Sequence, residues 1–438
     1  MRERVRYYLD WLRTSLWFIP LLMGVVAVAF AILLLTWGAD VPDDMVEYWL
    51  LYAGDTENAR ELVSTLLSGM ITMFSLVVSI TMVVLTLAAG QIGPRLIRNF
   101  IQDRQTQAVL GLFLADILYL IIVFRTIDGD RMDSVPHLAV TTGTALTVLC
   151  LFVLLFFVHK LARSIIYDNV VRNVAGDLME VTKLLLPEKS EARPDIPRPT
   201  HDFVWVPLGR DGYLQSIDLE ALVEAASEND ALIRLEVRPG HYILGRGRHV
   251  ALHSTAAGTD ETCRKIRDAF ILGSERTPTQ DIEYGIRQLV EMATRALSPG
   301  INDVFTALAV IDSLSSSLGH IFERDLEPAV LLDDSGRPRV VRDIAGYDSI
   351  VGAAFDQIRQ AGSGHAAVLI RLTEAIGSLA PYVRSDEQRQ PLLEQLDMIR
   401  RSADDNISVP RDLTALHSSG SRTRELLMSL PKKDVRPC

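Results

Sequence analysis

The 438-residue chain holds three cysteines, Cys150, Cys263 and Cys438, spaced far too widely for a metal-binding pair. Neither a Cys-x-x-Cys pair nor a His-Glu zinc spacing occurs, which excludes the common zinc centres and a disulfide scaffold and suits a reducing compartment. A glycine-rich Walker loop to cradle a nucleotide's phosphates is also missing. Basic residues are outnumbered, 44 Lys and Arg against 55 Asp and Glu, and the formal charge of −11 argues against nucleic acid as a partner. No fixed-period repeat is present, so solenoids and propellers are excluded. The N-terminal apolar run is too long for a cleavable signal peptide and lacks a small-residue cleavage site.

What the chain does have is apolar length. It is 48% hydrophobic with a mean hydropathy of +0.19, which fits a membrane part joined to a sizeable soluble part. Four runs are candidate membrane spans: Leu16 to Trp37, Leu62 to Ala89, Ala108 to Phe124 and His137 to Val158. The third is short and carries Asp116, a costly residue in lipid that should face protein, water or a partner charge. A buried hydrogen bond to a hydroxyl of the second span or to a span-end Arg would satisfy it; ion coordination or proton relay is the functional alternative.

Basic residues set the orientation. Arg2, Arg4, Arg6 and Arg13 precede the first run, Arg95, Arg98 and Arg104 separate the second from the third, and Lys160, Arg163 and Arg172 follow the fourth. The loop after the first run holds Arg60 against seven carboxylates, from Asp40 to Glu61. These asymmetries predict four spans with both termini in the cytoplasm. Residues 1–15 read as an interfacial helix and 16–160 as the transmembrane domain.

One span is patterned. At about 100° per residue, Ser64, Ser68, Thr72, Ser75, Ser79 and Thr86 fall within an arc of about 80° on the second run. Hydroxyls at this spacing let membrane helices approach closely, or, repeated around an axis in a homo-oligomer, line a pore with weak ligands that ions can leave. Glu61 stands one turn before the stripe, at the acidic end, and as a ring of carboxylates would concentrate cations at a pore mouth.

Beyond the spans, residues 161–200 read as an exit helix and the Pro-rich linker PEKSEARPDIPRPT. Residues 201–275 contain the short strand-like runs FVWVPL, GYLQSI, LIRLEV, HYILG and HVALH, interrupted by a helix capped by Asp218. They predict a small β-barrel. Its loops are locally basic, with Arg238, His241, Arg246, Arg248, His249 and His253. Arg238, Arg246 and Arg248 are candidates for anion binding at the Gly-Arg-Gly turn, against the simpler reading of a solvated face. Residues 276–438 read as a helical domain, with a hairpin at VLLDDSGRPRVV. The expected fold class is therefore membrane α-helical with a cytoplasmic α+β region.

The densest cluster of polar residues is RTPTQDIEYGIRQLVEMATRALSPGIND, Arg276 to Asp303. Thr277 to Gln280 has the form of a capping box, Arg287 follows Glu283 at ion-pair spacing, and Asn302 is placed to cap a second helix. Arg276, Gln280, Asp281, Arg295, Asn302 and Asp303 are candidates for a ligand or subunit contact, set against a purely structural role. No nucleophile, base and metal converge here, so the sequence points away from an enzyme and implies no cofactor.

This motif, together with the N-terminal RYYLDWLRTSLWFIP, resembles a bacterial family of predicted membrane proteins, domain of unknown function twenty-two fifty-four. The resemblance covers essentially the whole chain. It implies a multi-span N-terminus and a large soluble C-terminus, and no activity. The family pattern carries Pro after Asn-Asp, where this chain has Val304.

From these features the expected function is a homo-oligomeric channel, more suited to cations, with the second span lining the pore in contact with membrane lipid. The alternative is a membrane-anchored sensor or scaffold whose cytoplasmic module binds a small anion or a protein.

Overall fold

The computed structural model describes residues 17–37, 52, 54–91, 103–127, 136–164, 167–189, 203–253 and 260–430. The expected interfacial helix, most of the acidic loop, Arg95 and Arg98, most of the Pro-rich linker and Cys438 lie outside the described residues. The chain divides into two compact units, Met1–Ile166 and Tyr167–Cys438.

The first unit holds four helices: α1 (Phe18–Trp37), α2 (Thr56–Gln91), α3 (Arg104–Thr126) and α4 (His137–Ser164). Pro20 sits in the first turn of α1, where its missing N–H breaks no hydrogen bond. Asp55 accepts from Asn58 N at 2.9 Å, so α2 begins earlier than its apolar run and carries Glu57 and Glu61 on its first turns. Its 36 residues reach about 54 Å, well beyond the hydrocarbon thickness of about 30 Å. α3, the shortest apolar run, is the hub: α1, α2 and α4 all pack on it, and Phe113, Tyr119, Leu120 and Val123 are fully buried. Asp103 caps α3 by accepting from Thr106 N at 3.0 Å and pairs with Lys160. Burial works to raise this carboxyl, but the bonds from Lys160 and Thr106 and the Lys160 charge outweigh it and hold it below its ordinary value.

The second unit opens with α5 (Tyr167–Leu185), whose Val170, Val171, Val174 and Leu178 are buried against two later helices. Next come β1 (Phe203–Trp205), β2 (Gly212–Ile217), α6 (Leu219–Glu228), β3 (Leu232–Leu235), β4 (Tyr242–Ile243), β5 (Val250–His253), α7 (Asp260–Asp268) and β6 (Phe270–Gly273). Asp218 caps α6 as expected, accepting from Ala221 N at 3.1 Å. α8 (Ile282–Ala296) and α9 (Val304–Phe322) precede a hairpin of β7 (Val330–Leu332) and β8 (Pro338–Val341). α10 (Tyr347–Ala361), α11 (Ala366–Ser378), α12 (Asp386–Asn406) and α13 (Pro410–Ser429) complete the unit.

No closed barrel forms among the described strands, which corrects the expectation for 201–275. They divide into two sheets, β1-β5-β3-β8-β7 and β4-β2-β6. The reason is the remote hairpin: β8 pairs parallel to β3, Ile233 against Val340 and Arg234 against Val341, and occupies the edge that a barrel would need for closure. Arg339 pins the hairpin there, donating to Asp230 and Asp333 at 2.8 Å each while itself buried.

Five described helices are long and apolar enough to cross a membrane, α1 to α4 and α9. α9 differs in its setting: Val310, Ile311, Leu314 and Leu318 are buried, and α5, α8 and α11 pack on it.

Candidate functional site

Two groups of polar residues stand out, one in each unit. On α2, Ala59, Val63, Met70, Val77 and Val84 are buried against the bundle. At 100° per residue the hydroxyl stripe lies about 180° away from that seam. Ser68, Thr72, Ser75, Ser79 and Thr86 are exposed and Ser64 is half-buried, so none of the described residues of this chain covers the stripe. Ser68, Thr72 and Thr86 donate to the carbonyls of Ser64, Ser68 and Met82 at 2.9, 3.0 and 2.8 Å. Their protons are satisfied along the helix, which leaves oxygen lone pairs on the open face. Glu61 is exposed on the same line, and so is Glu57, one turn earlier on the polar start of the helix.

Asp116 is fully buried on α3. Its hydrogen bond comes from the fourth apolar helix, Thr147 Oγ1 to Oδ2 at 3.0 Å, and not from the second helix or a span-end Arg as expected. Its Oδ1 has no partner among the described residues.

In the second unit, the Arg276–Asp303 motif contributes to a charge network around the buried carboxylates of Glu283 and Asp281. Glu283 is 4% exposed and accepts from Arg238 Nη2 at 2.8 Å, Arg287 Nη2 at 3.0 Å and Ser349 Oγ at 2.5 Å. Its pairing with Arg287 is therefore no isolated surface contact. Arg238 also donates to Asp343 at 2.9 Å. Burial pushes the Glu283 carboxyl up, but the Ser349 and Arg287 bonds and the Arg238 charge more than offset it, and its pKa is lowered. Burial likewise opposes the charge on Arg238, yet Glu283 and Asp343 raise its pKa. Asp281 moves the other way: burial raises it, and its bonds from Arg276 at 2.5 and 2.9 Å do not compensate.

The capping box does not form. Gln280 instead closes both backbone groups of Ile217, accepting from its N–H at 2.9 Å and donating to its carbonyl at 3.1 Å. The helix starts at Ile282, with Asp281 at the cap position but its carboxylate held by Arg276. Asn302 does not cap the next helix either. It adopts a left-handed φ of 50°, and Asp303 is the cap, accepting from Thr306 N at 3.1 Å. Arg295 lies 3.7 Å from Glu291 on α8. Of the three candidate anion-binding arginines, Arg238 is engaged in the network, whereas Arg246 and Arg248 are exposed on the turn before β5.

A small cleft of about 90 Å³ borders the network, lined by Arg238, Gln280, Asp281, Glu327, Arg342 and Asp343 among others. That is below the roughly 300–1,000 Å³ of sites for cofactor-sized ligands. Its two arginines face three carboxylates, Arg342 lying 3.2 Å from Glu327. Among the described residues, no cluster of His, Cys, Asp and Glu is set to hold a metal ion.

Long apolar helices beside a mixed α/β region fit a membrane protein. The chain belongs to the family described as Predicted membrane protein (DUF2254), whose model matches residues 13–378. It is similar to uncharacterized proteins of Mycobacterium bovis and Mycobacterium tuberculosis, 28% identical over 440 residues, covering 98% of this chain and 83% of each relative. No solved structure matches it.

Proposed function

We propose that this protein is a homo-oligomeric ion channel of the bacterial inner membrane, conducting cations along α2. In this reading α1 to α4 are the four spans, both termini are cytoplasmic, and the second unit assembles the subunits and biases the gate. The carrying observation is the position of the hydroxyl stripe, exposed and opposite the packed seam of α2. Lipid offers hydroxyls no partner, whereas copies of α2 around an axis would turn the stripe into a wettable wall of acceptor oxygens suited to cations. Glu57 and Glu61 would form carboxylate rings at its entrance.

The test is single-channel recording of the purified protein in a planar bilayer under a KCl gradient. Discrete steps with a cation-directed reversal potential, shifted by Glu61→Gln and abolished by Ser75→Leu, are the expected result. Silence from both the full chain and a chain lacking the second unit would overturn the proposal.

A second reading, a membrane-anchored sensor or scaffold, draws on the second unit. Tyr242, Leu244, Arg246 and Arg248 are all exposed on β4 and the following turn, a mixed apolar and basic row suited to a protein partner or a small anion. Ser75→Leu would leave such binding intact.

A further inference from the structure

The end of the Arg276–Asp303 motif takes no part in the charge network. Ser298 to Asp303 forms the turn from α8 to the first turn of α9, which carries Phe305, and it is tightly built: Ile301 N and Asn302 N both donate to Ser298 O, at 3.0 and 2.9 Å, and Asp303 N donates to Ala296 O at 2.7 Å. This rigid turn nevertheless presents apolar side chains outward. Phe305 is 85% exposed and Ile301 43%, while Leu297 and Ala307 on either side are buried.

Contacts inside the second unit locate the turn. At the far end of α9, Arg324 donates to Leu186 O at 2.6 Å and Asp325 N to Pro187 O at 3.0 Å, so the C-termini of α9 and α5 lie together. The cleft beside the network brings Asp281 and Ile282, the start of α8, to Leu185 and Leu186 at that same end. One turn into α8, Gly285 lies against Leu178, about two turns back along α5. α8 therefore runs antiparallel to α5, and α9 returns parallel to it, each over a comparable length. The α8–α9 turn is thus placed at the end of the unit where α5 begins, at Tyr167.

Tyr167 follows Ser164, the last residue of α4, after only two residues, a reach of at most about 11 Å. α4 is apolar from His137 to Leu161. We propose that the α8–α9 turn is a lipid-surface anchor, inserting Ile301 and Phe305 into the headgroup region at the membrane face from which α4 emerges. This rests on the reading of α4 as a membrane span. Two apolar side chains alone would bind a bilayer weakly, but the tether makes the contact intramolecular and raises its effective concentration.

The experiment places an environment-sensitive fluorophore on single cysteines in the full chain, with Cys263→Ser and Cys438→Ser; Cys150 is buried. Phe305→Cys and Ile301→Cys report on the turn, Ser335→Cys on the exposed β7–β8 turn, and Leu155→Cys on the exposed face of α4. The protein is reconstituted in phosphatidylcholine–phosphatidylglycerol vesicles, with nitroxide lipids labelled near the headgroup or deep in the acyl chain. Emission at 305 and 301 is expected to fall about two-fold or more with the headgroup-level quencher, less with the deep one, and not at 335. Unquenched emission at 301 and 305 with Leu155→Cys quenched would overturn the anchor and leave the spans standing. The same pattern with 305 shielded from aqueous iodide would also overturn it and assign the turn to a second copy of the chain. Unquenched Leu155→Cys would instead remove α4 as a span.

Discussion

Arg238, on the connection between β3 and β4, donates to Glu283 of α8 at 2.8 Å across 45 residues of sequence. This bond ties the strand-rich and helical parts of the second unit together at a buried carboxylate. Glu283→Gln should cost about 2–3 kcal/mol, because two charge-assisted bonds are lost and Arg238 and Arg287 keep their charges. Asp343→Asn, on a side chain 36% exposed, should cost less than about 1 kcal/mol. Urea unfolding of the two variants in detergent, with wild type alongside, checks the order.

The same network sets a pH dependence. Burial and the Arg238 charge hold His241 below its ordinary value. The unfolded chain takes up that proton near pH 6.5 and the folded chain only at lower pH, so stability falls as pH drops below about 6.5. Glu283, with its folded pKa lowered, contributes fully above the ordinary carboxylate range and loses that contribution as pH falls through its folded value. The urea midpoint should decline from pH 7 to pH 5 by about the amount one titrating histidine allows, and His241→Gln should flatten that limb and leave the more acidic one.

Gly240 has a φ of 92°, and a Cβ there would lie 2.2 Å from Asp281 Oδ2 and 2.6 Å from Arg276 Nη2. Gly336 has a similar φ of 78° with nothing within 4 Å. Gly336→Ala should therefore cost only the left-handed penalty, about 1–2 kcal/mol, whereas Gly240→Ala should exceed it by displacing the Arg276–Asp281 pair. Thermal denaturation of both variants measures the difference.

Thr147 supplies the hydrogen bond to buried Asp116. Thr147→Val should destabilise the helical bundle by about 1–3 kcal/mol, and Thr147→Ser should restore most of it. Loss in Thr147→Ser with none in Thr147→Val would mean that the methyl group matters and the hydroxyl does not.

Val304 is the first residue of α9, directly after the Asp303 cap. Pro is well suited to a first helical position, where no intrahelical N–H bond is lost. Val304→Pro should thus fold normally and match or exceed wild-type stability by about 0.4–1 kcal/mol, as measured by melting temperature.

Much of this protein follows from local sequence. The four apolar runs, the Asp218 cap, the five strand segments and the VLLDDSGRPRVV hairpin are properties of neighbouring residues, set by hydrophobic periodicity, turn chemistry and capping. The segment 260–273 was missed because α7 is short and highly charged and β6 only four residues long. The hydroxyl stripe was visible because a helix has a fixed angular period. Which way it faced depended on the opposite seam finding α3 and α4. Tertiary structure alone decided that β8 would pair with β3 and so prevent a barrel, since strand pairing joins residues about a hundred positions apart. It also took Gln280 from a capping box to the backbone of Ile217, and brought Glu283 to Arg238 and Ser349. A buried polar group bonds to whichever partner the packing delivers, and its own sequence neighbours do not specify that partner.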